Sequence, residues 1–474
     1  MNNSKKQWRW PADRPRLHSL LIVVAIFGIG LLTAGCGIDF NNPPRLATAT
    51  ARSAAPPVSE SELLNLPAPT GTPGPGEVTS GSGASEPVSV VTPIGEGDGL
   101  VLWVDETSAE HKRVLDEIAS EFADRYGTNM AVQLVSPALL PDLVSTGVLS
   151  GTLPDLILHP IEFTAGWAAD GILDVAAADE VAGQLGRETF DSSALDLVTV
   201  DGQIAALPSD GFHQLLLYRA DWFEEMNLAT PDTYSAIEAA AERIHNPEAI
   251  ISGLVIPTES NLVTTHQAFE QIALANGCRL IDENGEVLLL EPECATALEH
   301  YYSTIHQFSP SGVQTDTSAA IAFLTGRTGI IMTSPAILPD LAGLDESAMP
   351  TCRECVAGEG GINYLAQNTG IVTEIRGPNG EPTSFGNVRS LGITSAADRT
   401  AAQAFAEFWF DEGYDRWLAV DSERKVPMRS GTQDEPRKFI DVWGTLPLGE
   451  SGVSLTNIYG EDVVTRLRDG IAAA

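Results

Sequence analysis

Between Asp201 and Arg219 the chain reads Asp-Gly-Gln-Ile-Ala-Ala-Leu-Pro-Ser-Asp-Gly-Phe-His-Gln-Leu-Leu-Leu-Tyr-Arg. A glycine turn leads into one strand-length segment ending near Pro208, a polar and aromatic break follows from Ser209 to Gln214, and an apolar strand then resumes in line. Two short strands set end to end, with no turn to fold one back on the other, suit a connection that leaves one folded body and enters a second. The segment Leu207 to Gln214 therefore predicts a hinge crossing between two lobes.

The residues before this crossing predict how the first lobe is built. Leu100-Val-Leu-Trp-Val104 is a continuous apolar run of strand length, and from Ser108 to Tyr126 Val114, Ile118 and Phe122 recur at a spacing of four. A second strand is expected over Met130 to Val135, a helix near Pro141 to Leu149, and a third strand at Leu156-Ile-Leu158. Strands alternating with helices imply a parallel sheet covered on both faces. In such sheets ligands sit beyond the carboxyl ends of the strands, which here brings forward Asp105, Glu106 and Thr107, then His159, Pro160 and Glu162. Trp103, inside the first strand, is expected in the core.

The N-terminus has the pattern of a processing signal. Five basic residues up to Arg16 precede the apolar run Leu20 to Leu32, which is short for a spanning helix and ends in Leu-Thr-Ala-Gly-Cys36. Small residues before a cysteine at that place have the form of a lipobox, with residues 1–35 removed and Cys36 carrying the lipid. Between Asn41 and Asp98 no aromatic residue occurs and Pro, Thr, Ser, Ala and Gly dominate. Such a segment cannot offset its ordering entropy by burial, so residues 36–98 are expected to be a disordered tether, spanning roughly 40–45 Å as a flexible coil. The body is thus expected on the extracytoplasmic face of the membrane.

Charge and motifs exclude several functions. The whole chain has 27 Lys and Arg against 64 Asp and Glu, and subtracting the five basic and one acidic residue of the leader gives residues 37–474 a formal charge of −41. A nucleic acid would be repelled over most of that surface. No G-x-S-x-G elbow, H-E-x-x-H pair or phosphate-binding loop occurs, so nothing marks an enzyme, although a glycan hydrolase with unmarked carboxylates uses no such motif. Four cysteines follow Cys36. Outside the cell a Cys278–Cys294 bridge would pin the base of a hairpin turning at Asn284-Gly285, while Cys352-Arg-Glu-Cys355 would close on itself or bind nothing. A redox role for that pair and a zinc site are the alternatives, but the thioredoxin-like context and the finger spacing are both missing. The Asp282 loop lacks the spacing of a calcium site, and no metal or cofactor is expected.

Taken together, these segments resemble the family 1 extracellular solute-binding proteins of ABC importers, relatives of the maltose-binding protein. The matching passages are the crossing itself, Ser150-Gly-Thr-Leu-Pro-Asp155, Ala220 to Leu228 with Thr230-Pro-Asp-Thr-Tyr234, Ala319 to Pro335, Arg389 to Thr394 and Ala401 to Phe410. The resemblance implies a two-lobed α/β fold with a ligand cleft between the lobes. Lobe 1 would comprise residues 99–207 and 392–424, and lobe 2 residues 208–391 and 425–474. It implies no catalysis, a monomer, a small solute with sugars or oligosaccharides favoured, and permease subunits as partners. A lipoprotein that presents its ligand to a membrane sensor would use the same fold. Carried over by position, the ligand contacts would be Asp105, Thr107, His159, Glu162, Asp210, Phe212, His213, Ser334 and Tyr364. Two departures stand out. His159 and Ala336 occupy places where sugar binders of this family put stacking aromatics, and Phe212 occupies the place of an acidic contact, leaving Phe212, Tyr364 or another aromatic to supply any stacking face.

Overall fold

The computed structural model describes residues 99–260, 263–282, 286–357 and 363–473. The leader, Cys36, the expected tether and the Asn284-Gly285 turn lie outside the described residues. The first lobe is built on β1 (Gly99–Val104), β2 (Asn129–Leu134) and β3 (Leu156–Pro160), which pair in parallel as the strand and helix alternation requires. The helix Ala109–Tyr126 starts where the Ser108 hydroxyl accepts the Glu110 N–H and stops at Gly127, whose φ of 68° suits glycine. It buries Val114, Leu115, Ile118 and Phe122 against that sheet. A two-stranded ribbon, β4 (Thr199–Val200) and β5 (Gln203–Ile204), turns on Asp201 and Gly202, both at positive φ.

The crossing differs from its expectation in one respect. Leu207–His213, β6, is an interior strand of the first sheet, and β7 (Leu215–Arg219) belongs to the second. The second sheet adds β8 (Ser252–Val255), β9 (Thr328–Thr333) and β10 (Thr369–Val372) in the order β10-β7-β9-β8. The chain returns through β11 (Gly386–Ile393), antiparallel to β3 and β6, and β12 (Val426–Pro427) completes the first sheet in the order β12-β6-β11-β3-β1-β2. The two passages between sheets therefore fall at Gln214 and Phe385, so residues 208–213 and 386–391 pair with the first lobe. The polar run Ser209-Asp210 reads as a break in sequence, yet it stays in a strand because Arg389, Trp417 and Ser209 satisfy the Asp210 carboxylate there.

Each sheet has its own core, one around Leu102, Phe122, Phe405 and Trp409, the other around Leu216, Ile237, Leu254 and Ile330. Gly253 is required in the second, since a Cβ there would lie 2.2 Å from the Ala241 carbonyl oxygen of the covering helix. A third apolar layer joins Val388 and Met428 of the first lobe to Leu215 and Ile331 of the second through Trp443, Leu455, Val464 and Leu467 near the C-terminus. Both expected disulfide positions are closed: Cys278 with Cys294, and Cys352 with Cys355. The second pair is buried, at 0% and 6% exposed, which places it as a local staple. The backbone bonds Asp282 N–H to Glu286 and Leu288 N–H to Leu280 give the ladder of the predicted hairpin on either side of its undescribed tip.

Candidate ligand site

A cavity of about 620 Å³ opens between the two lobes. Ile161 and Glu162, just past the carboxyl end of β3, form one wall with Ala194 and Leu197 of the helix Ser192–Leu197. Val263, His266, Gln267, Glu270 and Leu274, on the helix Val263–Ala275 of the second lobe, form the other. Phe385 to Val388, where the chain re-enters the first sheet, lie with Met428 at its base. The volume falls in the range of small-ligand pockets, and the lining is mostly aliphatic with a few polar groups. Glu162 is the charged group of the first wall, and burial outweighs its backbone hydrogen bond and the nearby His266 to push its carboxyl above the usual range, with Glu270 adding to the rise. On the opposite wall His266 Nε2 lies 2.7 Å from Glu270 Oε2, one helical turn away.

Beside the cavity, the carboxyl end of β1 meets β6 and β11 in a dense set of buried charges. Arg389 Nη2 donates to Asp210 Oδ2 at 2.6 Å and Nη1 to Glu106 Oε1 at 2.6 Å, while Asp105 Oδ1 stands 4.0 Å from Nη1. Trp417 Nε1 donates to the other Asp210 oxygen at 2.6 Å. Burial alone would raise the Glu106 and Asp210 carboxyls, but Arg389 overrides it and both end below the usual range. Asp105 has no such direct bond, and burial pushes its carboxyl up to about 8. Its Oδ1 has no hydrogen-bond partner among the described residues. Lys425 Nζ lies 2.9 Å from His111 Nε2 and 3.8 Å from the Trp417 ring centroid, and burial, then Arg389, lowers its ammonium to about 7.

The residues singled out in the sequence divide sharply by place. Asp105 and Asp210 meet in the Arg389 set; Thr107 is exposed one residue before the helix cap Ser108; Glu162 lines the cavity. Phe212 is half-buried, with the Arg424 guanidinium 5.7 Å from its ring, and Ser334 precedes the short turn Pro335–Ile337 after β9 without a capping bond from its side chain. Three others are engaged elsewhere. His159 is 0% exposed, packed 4.9 Å from the Trp167 ring and against Gly392, so its side chain points into the first-lobe core. His213 is buried, with Nε2 2.7 Å from the Leu467 carbonyl oxygen. Tyr364 donates its hydroxyl to Asp221 Oδ2 at 2.9 Å beside Arg219, at the end of β7 away from the crossing.

Arg389, Trp417, His266 and Glu270 were not among the expected contacts. Arg389 carried a usable signal: the lone charge in a strand that ends in Leu391-Gly-Ile393 has to find a buried carboxylate. His266 and Glu270 had only the four-residue spacing of a helical pair.

Comparison with known proteins gives a consistent assignment. A family model described as bacterial extracellular solute-binding protein matches residues 117–439. A putative ABC transporter periplasmic-binding protein, YcjN of Escherichia coli, is 24% identical over 236 residues, covering 48% of this chain and 54% of that protein. A mannitol-binding protein of Pseudomonas aeruginosa is 24% identical over 164 residues, 34% of this chain and 37% of that one. The chain thus aligns with about half or less of the curated relatives' lengths. Among solved structures, an ABC transporter solute-binding protein of Agrobacterium radiobacter in complex with ribitol superposes with a TM-score of 0.57 at 18% identity, covering 79% of this chain and 94% of that one. Maltose-bound MalE3 of T. maritima superposes with a TM-score of 0.54 at 19% identity, covering 78% and 94%. These likenesses show a shared two-lobed fold.

Proposed function

From the premise that the chain belongs to the bacterial extracellular solute-binding proteins, we propose that it is the substrate-binding component of an ABC importer, taking a carbohydrate or polyol. The observation that carries this reading is the cavity between the lobes, walled by Glu162 from one and Glu270 from the other, at the carboxyl end of a parallel strand. A ligand touching both walls makes all its contacts only when the lobes are closed, so binding shifts an open and closed equilibrium by the difference in affinity between the forms. Closure is the signal a permease would read. The moving bodies are the first sheet with its helices and the second sheet with its helices, joined at Gln214 and Phe385. No catalytic step is assigned, and the protein acts as a monomer. The relatives that carry mannitol, ribitol and maltose in their descriptions support a hydroxyl-rich ligand.

Within the same proposal, Cys36 carries a lipid that holds the body at the extracytoplasmic face of the membrane, and residues 36–98 serve as its tether. Replacing Cys36 by Ser should abolish incorporation of labelled fatty acid; equal labelling of both forms would remove the anchor. The binding function is tested by thermal shift against a library of neutral sugars, polyols and their aminated counterparts. A true ligand at 100 times its Kd stabilises the native state by about 2.7 kcal/mol. Failure of every compound to stabilise the protein, or turnover of one of them in the presence of the protein, would overturn the reading.

A further inference from the structure

We propose that the interlobe cavity selects a ligand with a protonated amine, an aminated sugar or aminated polyol in preference to its neutral counterpart. The inference rests on the reading of this cavity as the ligand site; the charges on its walls then choose among ligands. Glu162 and Glu270 face the cavity from opposite lobes, and no Lys or Arg lines it among the described residues. His266, 2.7 Å from Glu270, is the one group of the described lining that can carry a positive charge, and it serves both carboxylates, offsetting only part of the burial of Glu162. An ammonium has three N–H donors to offer to polar groups of this lining, which include both carboxylates and the Asn387 side chain. Charge-assisted bonds of that kind are about twice as strong as neutral ones. Burial holds the Glu162 carboxyl above its usual range, and a cation bound beside it would favour the carboxylate form.

The rest of the lining points the same way. Neutral sugar sites depend on aromatic faces, and here Phe385 is the one phenyl or indole ring among the described lining residues. Ser193, Gln267 and Asn387 can hydrogen-bond hydroxyls of either member of an amine and hydroxyl pair, so what separates the two is the pair of carboxylates. An amine on a compact polyol frame suits that pair, with the frame against the walls and the charge between the carboxylates. The contribution is electrostatic and weakens with salt, although less than at an open surface.

Matched pairs decide the matter: glucosamine against glucose, and glucamine (1-amino-1-deoxysorbitol) against sorbitol, titrated calorimetrically into the full-length protein in detergent. The amine of at least one pair is expected to bind about tenfold or more tightly than its hydroxyl twin. Glu162→Gln should remove that preference, with Glu270→Gln as the second variant should the first not fold. Equal affinity within both pairs, or preference for the neutral member, overturns the inference while leaving a sugar-binding function in place. Binding by neither amine overturns it as well, and if the neutral library also fails, the binding function falls with it. A preference that survives both substitutions shows recognition away from these carboxylates and likewise overturns it.

Discussion

The backbone N–H of Gln214 donates to the carbonyl of Phe385 at 2.9 Å, so the two passages between the lobes are bonded to each other. A paired crossing restricts the lobes to bending about a common line. The helix Glu461–Ala473 braces that line from both sides: the Leu467 carbonyl meets His213 of β6, and Arg466 Nη1 donates to the Ile371 carbonyl of β10 at 2.9 Å. Arg466→Ala should loosen the second lobe from this brace. Expected results are a loss of about 1–2 kcal/mol in chemical denaturation and a change in the radius of gyration of the unliganded protein by small-angle scattering. An unchanged scattering curve would show that the helix does not restrain the hinge.

Arg389 is predicted to be the most sensitive charged position. Its side chain is 10% exposed and bonded to both Asp210 and Glu106, so Arg389→Met leaves two desolvated carboxylates without their cation. Removal of one partner from a buried ion set costs roughly 3–5 kcal/mol. Arg389→Lys should recover little, because an ammonium cannot span the two carboxylates as the guanidinium fork does. The double variant Arg389→Met with Asp210→Asn should be more stable than the single one. Urea unfolding of the four proteins checks the order, and a single variant as stable as the wild type would refute it.

Much of this architecture is legible in the chain because it depends on periodicity. The spacing of Val114, Ile118 and Phe122 gives the first helix within a residue of its ends, and the apolar runs at Leu100 and Leu156 give parallel strands. The passage near Gln214 is visible too, though the strand before it runs six residues past the expected boundary. The reason is long-range: Asp210 remains in a strand only because Arg389 and Trp417, far along the sequence, satisfy it. Site residues are less legible for the same reason. A position beyond a strand end shows where a cleft lies, but the burial of His159 and the facing of Glu162 by Glu270 depend on packing between distant segments. Family position placed His159 in the cleft; the neighbouring Gly392 and Trp167 draw its ring into the core.

The two disulfides should differ in their contribution. Cys278–Cys294 closes a separation of 16 residues, whereas Cys352–Cys355 closes one of 3. In the loop-closure account the first stabilises by about 3 kcal/mol and the second by about half of that. Paired Cys→Ser variants, compared by thermal unfolding under oxidising conditions, should show the larger drop for Cys278 and Cys294. The reverse order would mean that the short bridge also holds native contacts, such as the ion pair of Arg219 with Glu354, which lies inside the closed loop.

His159 supplies a pH dependence with a definite sign. Burial lowers its imidazole from 6.5 to about 4, so in the folded protein it stays neutral at pH 5.5, where a free imidazole is about nine-tenths protonated. The unfolded chain therefore binds the extra proton first. Its contribution to stability is complete above pH 6.5 and is lost as pH falls from there towards 4. The Asp105 carboxyl, raised to about 8, works in the opposite direction: it favours the folded state at low pH and loses that contribution as pH rises from about 4 to 8. A wild-type curve alone mixes these two with other buried groups, among them His213 and His300, whose imidazoles burial also lowers to about 4. The difference between the wild type and His159→Phe isolates the imidazole, since the substitution keeps a ring against Trp167 and leaves Asp105 in place. Between pH 6.5 and 4 the wild type should lose more stability than the variant, by up to roughly 3 kcal/mol. Proton resonances of the His159 ring should remain at their neutral positions at pH 5.5. Parallel stability curves for the two proteins, or a ring that titrates near 6.5, would show that the imidazole is open to water after all.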